Sequence, residues 1–156
     1  MYKLQLQHSY SNKELEELFI TKKLLDEIEA FKYSGYLRMP MIKKELNNIF
    51  GDNNFIMKQK IHPNSNIFIS GIQKEIGLCI QLGYKNNWYY DMCKLSLLHN
   101  TNRIQKAIII LPSKNLENFC KTSNVATYEL IIDRNKIFSD LFKIKPYFFK
   151  LEILGR

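Results

Sequence analysis

The chain has 156 residues, 46% of them hydrophobic and 13% aromatic, which is ample for one packed domain over residues 1–156 and shows no internal repeat or low-complexity linker. Its 23 basic and 15 acidic residues give a formal net charge of +8, which favours DNA or RNA as partner through counterion release, although 19 Lys against only 4 Arg argues against bidentate readout of guanine. No run of about 18 uncharged apolar residues exists to span a membrane, Met1 to His8 lacks the apolar core of a secretory signal, and Cys79, Cys93 and Cys120 form neither a disulfide framework nor a zinc pattern, so a reducing, cytoplasmic setting is expected.

Ser11 and Asn12 suit the cap of a helix opening at Lys13, with Glu14, Glu16 and Glu17 favourable in its first turn. Leu15, Leu18, Phe19, Leu24, Leu25 and Ile28 make an apolar stripe reaching Phe31, with a division near Thr21. Ser34-Gly35-Tyr36 reads as a break. Pro40 opens a helix over Met41 to Phe50 with Lys43, Lys44 and Glu45 outward, and Gly51-Asp-Asn-Asn54 is a turn. Phe55 to Ile61 alternates as a strand with Lys58 and Lys60 on one side. That side is either an ordinary solvated face or a phosphate-contacting one.

Asn66 to Gly83 reads as two strands and a tight turn. Ile76, Leu78, Ile80 and Leu82 share one face, and Glu75, Gly77, Cys79, Gln81 and Gly83 the other. Gly77 and Gly83 leave space for a close approach. A hairpin inside an α/β core explains the aliphatics well, but not a glutamine in mid-strand. Asn86 or Asn87 then caps a helix through His99. Arg103 to Leu111 ends in a segment apolar on both faces, as a central parallel strand requires. Residues 76–111 thus form a strand–helix–strand unit with a right-handed crossover. Ser113 caps a short helix from Lys114 to Lys121, a further helix lies within Tyr128 to Leu141, and Tyr147 to Leu154 is a last strand.

Cys79-Ile-Gln-Leu-Gly83, then Trp88-Tyr-Tyr-Asp91-Met-Cys-Lys-Leu95, then Ile108-Ile-Ile-Leu-Pro112 resembles the core of the BglII-type restriction endonucleases, within the PD-(D/E)xK nuclease group. Weaker resemblance extends from about residue 11 to 155. Leu24-Leu-Asp-Glu27-Ile-Glu29 is similar to a family helix that packs on the sheet and helps a dimer form. The resemblance implies a restriction-endonuclease-like α/β fold, a mixed sheet of four to six strands flanked by helices. It implies an Asp, then a Glu nine residues on, then a Gln two residues later. Those positions fall on Ser70, Cys79 and Gln81, so the spacing persists while both acids are replaced.

Family members hydrolyse phosphodiesters with Mg²⁺, which takes hard oxygen ligands. A hydroxyl and a soft thiol supply no such pair. The expectation is a catalytically degenerate relative, with no cofactor, that binds nucleic acid or serves as an interaction subunit, as a homodimer or in a larger nucleoprotein complex. Lys58, Lys60, Lys74 and Lys85 border the hairpin and are the expected contacts. One alternative is an active Mg²⁺-dependent endonuclease with displaced ligands, for which Asp91 is the fallback; as an ordinary residue, Asp91 is a helix-terminal charge. Another is a structural component of a nucleoprotein assembly. Glu75 lies about 13 Å along an extended strand from Cys79, too far to substitute. A thiol site joining Cys79 to His8, His62 or His99 has no local signature. Restoring both acids, Ser70→Asp with Cys79→Glu, is expected to raise Mg²⁺ binding, Gly77 and Gly83 leaving room.

Overall fold

A strand that is apolar on both faces needs a neighbour on each side and cover above and below. In the computed structural model, which describes residues 2–33 and 36–155, that strand is β6 (Lys106–Pro112). It runs parallel to β5 (Ile76–Ile80) on one side and to β7 (Tyr147–Leu154) on the other. Beyond β7 lie β1 (Tyr2–Gln7) and the two-residue β2 (Lys32–Tyr33), both antiparallel. Beyond β5 lie β4 (Phe68–Gln73) and β3 (Ile56–Lys60), also antiparallel.

The sheet is mixed and seven-stranded, in the order β2-β1-β7-β6-β5-β4-β3, which corrects the expected four to six strands. The additions are β1 and β2 at one edge. Leu4 and Leu6 of β1 are buried between half-buried neighbours, a period-two pattern present in the sequence. Ser34 and Gly35, where a break is expected, lie outside the described residues.

Among the described residues six α-helices flank the sheet: α1 (Asn12–Glu17), α2 (Lys22–Ala30), α3 (Met39–Asp52), α4 (Asn87–Asn100), α5 (Lys114–Phe119) and α6 (Tyr128–Phe138). Ser11, Thr21, Ser113 and Thr127 cap α1, α2, α5 and α6, each side chain accepting from a backbone N–H three residues on. The cap at Thr21 is why the first stripe divides. Asn86 precedes α4 but makes no side-chain cap bond, so the expected asparagine cap is positional only.

Alternation along the central strands sorts the core into two layers. Ile76, Leu78 and Ile80 join Ile108 and Ile110 beneath α2 and α3, with Leu24, Ile28, Ile42, Leu46 and Phe50. Cys79, Ala107, Ile109 and Leu111 face the other way, against Trp88, Met92, Leu95 and Leu98 of α4.

Candidate functional site

β4 and β5 are joined by a two-residue turn at Lys74 and Glu75, with Lys74 in the left-handed region at φ 51°. Glu75 therefore sits in the turn rather than on the strand face shared by Cys79 and Gln81, and its carbonyl accepts from the backbone of Gln105 at 2.7 Å. From that turn the ladder runs only as far as Gly71 opposite Leu78. One step further on, where Ser70 and Cys79 would pair, the strands part. The Ser70 hydroxyl takes over, accepting from the Ile80 backbone N–H at 2.8 Å.

The parting opens a cleft of about 760 Å³. Its walls come from α3 (Met39, Lys43, Asn47), from β3 and β4 (Met57, Lys58, Phe68, Ser70), from the end of β5 (Ile80, Gln81, Gly83) and from α4 (Asn87, Tyr90, Asp91, Lys94). On each helix the lining residues recur at three- and four-residue spacing, so one helical face addresses the cleft. Gly71 lets β3 come close, since a Cβ there would stand 2.8 Å from the Met57 sulfur.

Gln81 and Asp91 are the buried polar pair at the floor, 8% and 7% exposed. The Gln81 amide nitrogen donates to Asp91 Oδ2, while its oxygen accepts from the Gly83 backbone N–H at 2.9 Å. The other Asp91 oxygen faces the Lys94 ammonium at 3.5 Å, one helical turn away. Burial raises the Asp91 pKa, opposed by the hydrogen bond from Gln81 and by the Lys94 and Lys43 charges. Desolvation of the ionised carboxylate thus outweighs its partners. Lys94 also lies 4.5 Å over the Tyr90 ring, and Lys58 lies 5.2 Å over Phe68. Among the described residues, Lys58 is the strand residue with left-handed backbone, at φ 54°, a conformation that costs a side-chain-bearing residue about 1–2 kcal/mol.

Of the three positions singled out from the sequence, Ser70 and Gln81 line the cleft and Cys79 does not. Cys79 is 2% exposed, packed in the layer beneath α4. Burial pushes its thiol well above the ordinary value and Asp91 adds to this; Lys94 and a main-chain hydrogen bond from Ser70 only partly offset them. The room expected at Gly77 is also taken, since a Cβ there would meet Ile104 at 3.0 Å and Leu95 at 3.2 Å. A glutamate at position 79 would therefore enter an apolar layer rather than the cleft, so the expected restoration of both acids does not fit this packing.

Of the four expected lysine contacts, Lys58 lines the cleft, and Lys60, Lys74 and Lys85 are not among its walls. The Lys74 ammonium lies 5.7 Å over the Phe19 ring. Two further lysines belong to the cleft. Lys43, expected to point outward from its helix, is one of its walls. Lys94 was legible only as an i,i+3 partner of Asp91. The Nδ1 of each histidine is engaged locally: His8 with the Tyr10 backbone N–H, His62 with the Asn64 backbone N–H and His99 with the Ile104 carbonyl. Among the described residues no three His, Cys, Asp or Glu side chains group as a metal site.

No curated protein matches the chain by sequence. Among solved structures, it resembles restriction endonuclease BglII complexed with a DNA 16-mer at TM-score 0.69 and 11% identity, over 97% of this chain and 76% of that one. At that identity the likeness concerns the fold. The family model described as restriction endonuclease BglII/BglIII matches residues 5–144, spanning the hairpin, the cleft and the strand–helix–strand unit, and the chain therefore belongs to the BglII/BglIII restriction endonuclease family.

Proposed function

We propose that this protein is a DNA-binding member of its family that does not cleave DNA. The observation that carries this reading is the lining of the cleft, where Lys43, Lys58 and Lys94 meet one carboxylate, Asp91. A magnesium ion takes one or two carboxylates and completes its shell with water and phosphate oxygens. Here the Ser70 hydroxyl serves the backbone, the Cys79 thiol is buried and held protonated, the Gln81 oxygen is taken by Gly83, and Asp91 is engaged by Gln81 and Lys94. That donor set does not fit the ion. The +8 net charge and the family relation support a DNA partner held chiefly through phosphates.

One observation favours a second reading, an endonuclease with displaced ligands: Asp91 reaches the cleft and bonds Gln81. Plasmid incubation with Mg²⁺ or Mn²⁺, beside duplex binding at about 50 and 200 mM salt, separates the two. Binding that falls steeply with salt and leaves the plasmid closed is expected. Nicking by wild type that Asp91→Ala abolishes would establish the second reading. Absence of binding at the lower salt would point to a protein partner instead.

A further inference from the structure

Resting on the DNA-binding reading, we infer that the cleft is an ammonium-lined seat for a backbone phosphate, taken up without a divalent cation. The three lysines come from three elements, α3, β3 and α4, and converge on one concavity. A solvated surface would scatter such charges, since like charges repel. Lys43 and Lys58 have no carboxylate within ion-pair distance among the described residues. Their charge is left for something that enters.

Lys94 is held differently. Its side chain is 15% exposed, fixed between the Asp91 carboxylate and the Tyr90 ring. Both oxygens of that carboxylate are engaged, Oδ2 by the Gln81 amide and Oδ1 by the Lys94 ammonium. A phosphate group offers two or more charged oxygens to the ammonium donors that line such a cleft.

The test uses the full chain and a labelled blunt duplex of about 16 base pairs, read by anisotropy in EDTA across a salt series. Wild type binds in EDTA, and added Mg²⁺ does not tighten it. Lys43→Met lowers the slope of log affinity against log salt by about 1. Lys94→Met, made together with Asp91→Asn so that no buried carboxylate is stranded, does the same, while the control Lys23→Met does not. Asp91→Asn alone keeps an acceptor for Gln81, removes one negative charge beside the phosphate, and tightens binding about fivefold or more. A cation held by Asp91 would give the opposite: loss of affinity in EDTA, and loss of the Mg²⁺ effect in Asp91→Asn. Either result overturns the proposal. Binding by wild type that Lys43→Met and the Lys94 variant leave unchanged overturns only the cleft assignment, since DNA then rests elsewhere. No binding by wild type with or without Mg²⁺ overturns the DNA-binding reading with it.

Discussion

Asp91 shows how a single side chain can couple the cleft to pH. Burial raises its pKa from the ordinary 3.8, so the folded protein holds this proton more tightly than the unfolded chain. As pH rises past that ordinary value, the unfolded chain releases its proton first. Stability then falls with pH until the folded carboxyl has also ionised, because stability declines wherever the native state binds more protons. Asp91→Asn removes the group from the balance. The urea midpoint of wild type is therefore expected to fall relative to Asp91→Asn from about pH 4 upward, reaching a constant difference once folded Asp91 is charged. A difference that stays flat would mean that Gln81 and Lys94 balance burial, and one that grows toward acid that they outweigh it.

At the scale of elements, α4 sits on the sheet through Gly77. A methyl group there would stand 3.0 Å from Ile104 and 3.2 Å from Leu95, and both neighbours are wholly buried, so neither has space to withdraw. Overpacking of this kind costs about 1–3 kcal/mol, offset by about 0.4–1 kcal/mol from stiffening the unfolded chain. Gly77→Ala is thus expected to lose roughly 1 kcal/mol in denaturant unfolding. It should also weaken DNA binding, because α4 carries Tyr90, Asp91 and Lys94 into the cleft. Unchanged stability would show that α4 rides on the sheet less tightly than its buried contacts imply.

The whole molecule depends on its last strand. β7 lies between β1 and β6, parallel to one and antiparallel to the other, and Phe149 and Leu151 belong to the layer that includes Leu4, Leu6 and Ile110. Ending the chain at Pro146 would strand β1 and expose one edge of β6, whose residues are apolar on both faces. Such a truncation is expected to lose its cooperative unfolding transition in urea while keeping helical circular dichroism. A sharp transition retained would mean that β5, β6 and α4 fold without the far half of the sheet.

The sequence by itself determined what nearest neighbours decide. Alternation at Ile76, Leu78 and Ile80 assigned a buried face, Ser11, Thr21 and Ser113 marked helix starts, and the doubly apolar Ala107 to Leu111 required a central strand. It also placed Ser70 and Gln81 at one hairpin, through a spacing that survives without the acids. The tertiary structure decided which strand lies beside which, since Leu6 meets Leu151 from opposite ends of the chain and no local pattern encodes that choice. It also decided the character of the cleft. Cys79 shares a strand face with Gln81, yet it is packed under α4 beside Ile109, while Gln81 comes two residues later, just past the end of β5, and lines the cleft. Lys43 has the local pattern of a solvated lysine, and became a wall of the cleft because α3 lies across the parted strands. Periodicity says which way a side chain points, but only the packing of distant elements says what it points at.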